Sequence, residues 1–209
     1  MYLARILYPV TVLGPGRRVG IWFCGCPHRC DGCSNPELWE LDERHRISLS
    51  QAVGLIEKIC AENSVDGFTI TGGEPFYQAS ELSGLVAKIG EISQDIIVYS
   101  GYTISQLRDM NSPDVEAVLN SISVLIDGKY IKEQNTNVLI RGSENQVLHV
   151  LNQDFRAAYE EFSATEENKI QNFFSGSAVV SVGIHKSDFA EEFPKKTAEK
   201  GLISGGKNE

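Results

Sequence analysis

Apolar and polar positions follow two rhythms along this chain, one of strands and one of helices, and the two take turns. Residues 17–23 (Arg-Arg-Val-Gly-Ile-Trp-Phe) form a β-prone run entered through the turn Gly14-Pro15-Gly16, which predicts a first core strand. Further on, Ser48-Leu-Ser-Gln51 is a capping box, and Leu49, Ala52, Val53, Ile56 and Cys60 recur at helical spacing. That pattern makes Cys60 a core residue. A short apolar strand over 67–71 runs into Gly72-Gly73, and Leu82, Leu85, Val86 and Ile89 mark the next helix. Residues 95–99 and 122–126 read as two more buried strands with a short helix over 104–110 between them.

Such an alternation implies parallel strands joined by right-handed crossovers, with helices covering the sheet, so the fold class expected is α/β. Each strand ends in glycine or polar residues: Gly72-Gly73-Glu74, Ser100-Gly101 and Asp127-Gly128-Lys129. Ligands in such folds sit at the C-terminal ends of the strands, so one rim is expected to gather the chemistry. Beyond Leu151 the pattern changes. Residues 159–168 are polar and helix-prone, and no strand is expected until 177–183. A helical stretch over 187–200 should break or restart at Pro194, and the chain should be loose from about 201. The organisation expected is a core over 1–155 and a C-terminal extension over 156–209 packed on it.

A length of 209 residues suits one domain with an appendage. The 42% apolar and 22% charged content is that of a globular protein, and no apolar run approaches the roughly 18 residues of a membrane span. The start has no basic segment followed by an apolar stretch and a small-residue cleavage site, so a cytoplasmic protein is expected. A formal net charge of −9 argues against a dedicated nucleic-acid binder, which needs a Lys/Arg surplus to displace counterions.

Four of the five cysteines, Cys24, Cys26, Cys30 and Cys33, crowd into ten residues. In a reducing compartment this is a metal or cofactor site and not a disulfide framework. Cys26-Pro-His-Arg-Cys30-Asp-Gly-Cys33 can bring three thiolates to three irons of a cubane cluster, leaving the fourth iron open for a substrate or cofactor. The alternative is structural zinc with Cys24 as fourth ligand, although Cys24-Gly-Cys26 is a poor knuckle. On the cluster reading Cys24 is a small side chain at a strand end. His28 and His45 are expected to be exposed.

These three cysteines, followed after the next strand by Thr71-Gly72-Gly73-Glu74-Pro75, resemble the radical S-adenosylmethionine enzymes. The resemblance implies a partial (β/α)6-type barrel and a [4Fe-4S] cluster on Cys26, Cys30 and Cys33. Its open iron would be chelated by the methionyl part of S-adenosylmethionine, and reduction would yield a 5′-deoxyadenosyl radical. More narrowly, Gly14-Pro15-Gly16 with Arg18, the segment Gly25–Pro36 with Trp39, Tyr99-Ser-Gly-Tyr-Thr103, Leu125–Tyr130 and Arg141–Gln146 resemble the activating proteins of anaerobic ribonucleotide reductase over about residues 5–151. That likeness implies a glycyl-radical protein as partner and an electron donor such as flavodoxin or ferredoxin.

By the same resemblance Gly72, Gly73 and Glu74 hold the methionine ammonium, and a side chain at Gly73 should disturb that end while sparing the cluster. Gly32 and Ser34 should lie against the adenine, and Ser100 should meet the carboxylate or ribose. Asp127 and Lys129 should touch the cofactor or a nearby cation, with a solvent-facing turn as the plain alternative. Arg141 and Asn145 match the family signature without a readable role. The last 55 or so residues lie outside the resemblance; on one reading their strand brings His185 to the cofactor rim, and on the other His185 is an exposed turn residue. A radical enzyme acting on a peptide or small metabolite, and a metal-binding interaction module without turnover, are the competing functions.

Overall fold

The computed structural model describes residues 1–175 and 178–204. Its main sheet has six strands that lie side by side in chain order: β1 (Leu3–Val10), β2 (Arg18–Phe23), β3 (Gly67–Gly72), β4 (Ile96–Tyr99), β5 (Val124–Asp127) and β6 (Val147–Val150). Strands β2 to β5 are parallel; β1 and β6 run antiparallel at the two edges. The crossovers carry α1 (Leu49–Glu62), α2 (Ala79–Ile89), and the pair α3 (Ile104–Asp109) and α4 (Pro113–Ser121). The expected α/β class is what the chain adopts.

Both faces of the sheet are covered, which is why its inner strands read as nearly continuous apolar runs. Val19, Ile21, Phe23, Ile96, Val98 and Leu125 pack with Ala52, Ile56, Leu82, Leu85, Val86 and Ile89. The alternate residues Trp22, Ile97, Val124 and Ile126 face the other way. There they meet the C-terminal residues, which form α5 (Arg156–Thr165), the antiparallel hairpin β7 (Ile170–Ser175) and β8 (Ala178–Gly183), α6 (Phe189–Glu199) and the short β9 (Ile203–Ser204). Tyr159 of α5 is buried among Ile97, Val124 and Ile126, and Val182 of β8 among Val10, Leu13 and Trp22.

The hairpin and the residues just before it are tied to the core at two places. Gln171 donates to Pro9 O at 2.7 Å and accepts from Thr11 N at 3.1 Å, on the β1 side. Asn168 accepts from Ile140 N at 2.9 Å and donates to Val138 O at 2.9 Å, in the loop between β5 and β6.

Five features depart from the sequence expectations. β1 was not anticipated: it contains Pro9, which only an edge strand tolerates. α4, for which no helix is expected from the apolar pattern, opens with Ser112 as N-cap and Pro113 in the first turn. A strand, β7, precedes the one expected at 177–183; its Ile-Gln-Asn-Phe-Phe does not alternate. Pro194 lies inside α6 without ending it. Of the tail expected to be loose, residues 203–204 pair with β8, and 205–209 lie outside the described residues.

The N-terminal end of the strands is closed by a buried ion pair. Arg18 donates to Asp95 Oδ2 at 2.6 Å, to Thr69 Oγ1 at 2.8 Å and to Phe68 O at 2.6 Å. Asp95 Oδ1 also accepts from Ser123 Oγ at 3.0 Å and from the Tyr159 hydroxyl at 2.6 Å. A buried guanidinium needs this degree of pairing to offset its desolvation.

Candidate functional site

The opposite ends of β2 to β5 surround a cavity of about 190 Å³, far more than one water requires. Cys26, Cys30 and Cys33 line it together with Ser34, Gly72, Gly73, Glu74, Ser100 and Gly101. The cysteine loop is held by backbone bonds: Gly25 N and Cys26 N donate to Leu38 O and Trp39 O at 2.9 and 2.8 Å, and Glu74 N donates to Gly25 O at 2.8 Å.

Burial pushes all three thiols up, and N–H groups oppose it: those of His28 and Arg29 at Cys26, Tyr130 at Cys30, and Asn35 with the Trp39 indole at Cys33. Trp39 Nε1 is buried and directed toward the Cys33 sulfur, with no oxygen or nitrogen acceptor of its own. Sulfurs of a bound cluster would accept such donors, and N–H groups directed at cluster sulfur are among the groups that set its potential. The donor set therefore fits an iron–sulfur cluster. Among the described residues no three His, Cys, Asp or Glu side chains gather tightly enough for a single metal ion.

Cys24 is 1% exposed within a cluster that includes Val10, Trp22 and Leu38, and burial raises its thiol to about 11. Cys60 packs against the helix-side core. Both behave as hydrophobic residues.

His28 is not exposed. Its ring is wedged against Gly101 and lies edge-on to Tyr102 with centroids 4.4 Å apart, and Nε2 is 3.2 Å from Glu74 Oε2. Glu74 is fully buried and also accepts from Phe76 N at 3.0 Å, Ser100 Oγ at 3.0 Å and Gly101 N at 2.6 Å. Its carboxylate thus joins the ends of β3 and β4 to the cysteine loop. His45 is half-buried.

The glycine pair is explained by packing. A Cβ on Gly72 (φ +112°) would lie 2.4 Å from Phe23 O, and one on Gly73 would lie 2.4 Å from Gly25 O. A side chain at Gly73 therefore strikes the backbone of the cysteine loop.

Gly32 (φ +68°) abuts Lys132 and Tyr130. Ser34 is on the cavity wall; Gly32, Asp127 and Lys129 are not among the residues that form it. Asp127 Oδ2 accepts from Ile104 N at 2.6 Å and lies 3.0 Å from His149 Nε2, while Lys129 is exposed. Between and beyond them Gly128 and Tyr130 line the cavity. The signature 141–146 braces this loop: Gln146 donates to Gly128 O at 2.7 Å, Asn145 to Lys129 O at 2.9 Å, and Ser143 Oγ accepts from Ile131 N at 3.1 Å. Arg141 donates to Gln146 O at 2.8 Å.

Residues 12–149 match the family model of the 4Fe-4S single cluster domain. The chain is 34% identical over 151 residues to the anaerobic ribonucleoside-triphosphate reductase-activating protein of Vibrio cholerae, a match that takes in 68% of this chain and 94% of that protein. Proteins of the same name from Enterobacteria phage T4 and Escherichia coli are 33% and 30% identical, covering 68% and 69% of this chain and 90% and 96% of theirs. The chain belongs to this activating-protein family. About a third of it lies outside the matched stretch, and that third reaches the site: Ser181, Val182, Gly183, Ile184 and His185 line the same cavity as the cysteines. Of these the family pattern could mark none, because β8 has no place in it. No helix among the described residues is long and apolar enough to cross a membrane.

Proposed function

We propose that this protein is a radical S-adenosylmethionine enzyme that activates a glycyl-radical protein of the anaerobic ribonucleotide reductase type. The observation that carries the proposal is the placement of Cys26, Cys30 and Cys33 in one cavity with the Gly72–Glu74 turn at the parallel strand ends, in a chain of the activating-protein family. On this reading the sheet is a partial (β/α)6-type barrel, and the three thiolates hold three irons of a [4Fe-4S] cluster. That group, reduced by a donor such as flavodoxin or ferredoxin, supplies the electron that splits S-adenosylmethionine to a 5′-deoxyadenosyl radical able to take hydrogen from the partner's glycine.

The chain's own residues bind and orient. Gly72 and Gly73 let the turn press against the cysteine loop, so both halves of the site are set by one backbone contact. Glu74, fully buried and committed to Phe76, Ser100, Gly101 and His28, fixes that turn, so that the turn's backbone on the cavity wall meets the methionyl ammonium. Ser34 is placed for the nucleoside. Ser100 Oγ already serves Glu74 and Tyr102 N, so its contribution to the ligand is secondary. Gly32, Asp127 and Lys129 act through the loops they belong to.

One observation favours a second reading, in which a peptide or small metabolite is the substrate: residues 181–185, from outside the family-matched stretch, form part of the cavity wall. Anaerobic reconstitution followed by dithionite and S-adenosylmethionine tests the shared chemistry. Formation of 5′-deoxyadenosine and methionine is expected; an iron-loaded protein that cleaves nothing contradicts both radical readings.

A further inference from the structure

Ser181 lies on β8 and His185 two residues beyond its end, where Gly183 (φ +135°) lets the chain turn back. Ser181 Oγ and His185 Nε2 are 3.0 Å apart. The imidazole is held from several sides: it stacks on Phe189 with centroids 3.6 Å apart, Phe189 stacks on Phe193 at 4.6 Å, and Asn135 Nδ2 donates to His185 O at 2.8 Å. Lys132 and Glu191 tie α6 to the same loop at 3.2 Å. Its other nitrogen, Nδ1, is buried and has no partner.

Burial depresses the imidazole to about 4, so at neutral pH it is uncharged and carries one proton. A proton on Nδ1 would leave a buried N–H donor orphaned, which folded proteins avoid more strictly than an unpaired acceptor. With the proton on Nε2 the ring donates to Ser181 Oγ. The serine hydroxyl hydrogen is then free to donate into the cavity.

We infer that Ser181 is a ligand-contacting residue of the cysteine cavity, its hydroxyl oriented by His185 to donate a hydrogen bond to an acceptor of bound S-adenosylmethionine. The C-terminal extension thereby completes a cofactor site whose other residues come from the family-matched part of the chain. Ser181 makes the contact and His185 is a positioning residue. The inference rests on the radical reading above.

Equilibrium dialysis of S-adenosylmethionine against anaerobically reconstituted protein, compared at equal iron per chain, tests it. Loss of one neutral hydrogen bond predicts that Ser181→Ala weakens binding about three- to ten-fold, while Ser181→Thr, which keeps the hydroxyl, stays near wild type. His185→Phe, which retains the stack on Phe189, should weaken binding by a similar factor, and the double variant no further than either single one. Wild-type affinity in Ser181→Ala overturns the inference, including the case where only radical yield on a partner protein falls. So does multiplication of the two effects, or a Ser181→Ala protein that takes up no iron. If wild-type protein carries its iron but binds no S-adenosylmethionine, the radical reading fails first and this inference with it.

Discussion

His28 Nε2 lies 3.2 Å from Glu74 Oε2, with both side chains almost wholly withdrawn from solvent. This contact joins the loop between Cys26 and Cys30 to the turn after β3, so the two motifs of the site are fastened to each other by side chains as well as by the Glu74 N to Gly25 O bond. Glu74→Ala removes the acceptor of Phe76 N, Ser100 Oγ and Gly101 N together. Each donor left unpaired costs about 1–3 kcal/mol. A fall in melting temperature with reduced iron retention is expected, and Glu74→Gln should lose less; unchanged iron retention in Glu74→Ala would detach the network from the cluster.

Replacing Cys26, Cys30 or Cys33 by Ala should each abolish cluster loading, because three thiolates leave no spare ligand. Cys24→Ala and Cys60→Ala should keep their iron, since both side chains are packed among apolar residues. Iron per chain and the visible absorption of the reconstituted proteins measure this. Equal loss in Cys24→Ala would restore the four-cysteine alternative.

Gly73→Val should lose iron together with S-adenosylmethionine binding. Its Cβ would meet Gly25 O at 2.4 Å and Leu38 O at 2.9 Å, two of the backbone groups that hold the cysteine loop. Iron content and cofactor affinity measured on one preparation decide it: full iron with weakened binding would show that the loop gives way and that the side chain acts on the cofactor alone.

Asp95→Ala should cost about 3–5 kcal/mol in urea unfolding of the iron-free protein, because it strands the buried Arg18 charge. Tyr159→Phe removes one bond to Asp95 and should cost about 1 kcal/mol. The cysteine cavity lies at the other end of the strands, so a surviving Asp95→Ala protein should still take up iron.

His185 gives the iron-free protein a pH-dependent stability term. Its folded-state value, about 4, is below the ordinary 6.5, so between these values the unfolded chain binds a proton that the folded chain refuses. Stability contributed at this site is intact above pH 6.5 and declines as pH falls toward 4, by an amount of order 3 kcal/mol. His185→Phe should flatten that slope in urea titrations at pH 7 and pH 5; an unaltered slope would show the ring to be accessible.

Much of this architecture is written in local sequence pattern. β2 to β5 are apolar on both faces because both faces are covered, and their glycine and polar ends mark the rim. The Ser48 capping box forms as its spacing implies. What escaped are features set by distant partners. β1 is concealed by Pro9, and β7 by Gln171 and Asn172, whose polarity serves a hairpin edge and a bond to β1. His28 sits in a loop defined by cysteine spacing, which says nothing of Gly101, Tyr102 and Glu74 closing around it. Ser143, Asn145 and Gln146 contact the 128–131 backbone across a loop, so a signature visible in sequence acquires its bracing role only in three dimensions.

Electron paramagnetic resonance tests glycyl-radical formation by this protein most directly. The reconstituted, reduced protein is incubated anaerobically with S-adenosylmethionine and an anaerobic ribonucleotide reductase encoded in the same genome. A glycyl-radical signal on the reductase, dependent on S-adenosylmethionine and lost in Cys30→Ala, is the predicted result. A silent reductase, while a peptide or small metabolite consumes the 5′-deoxyadenosyl radical, would contradict it.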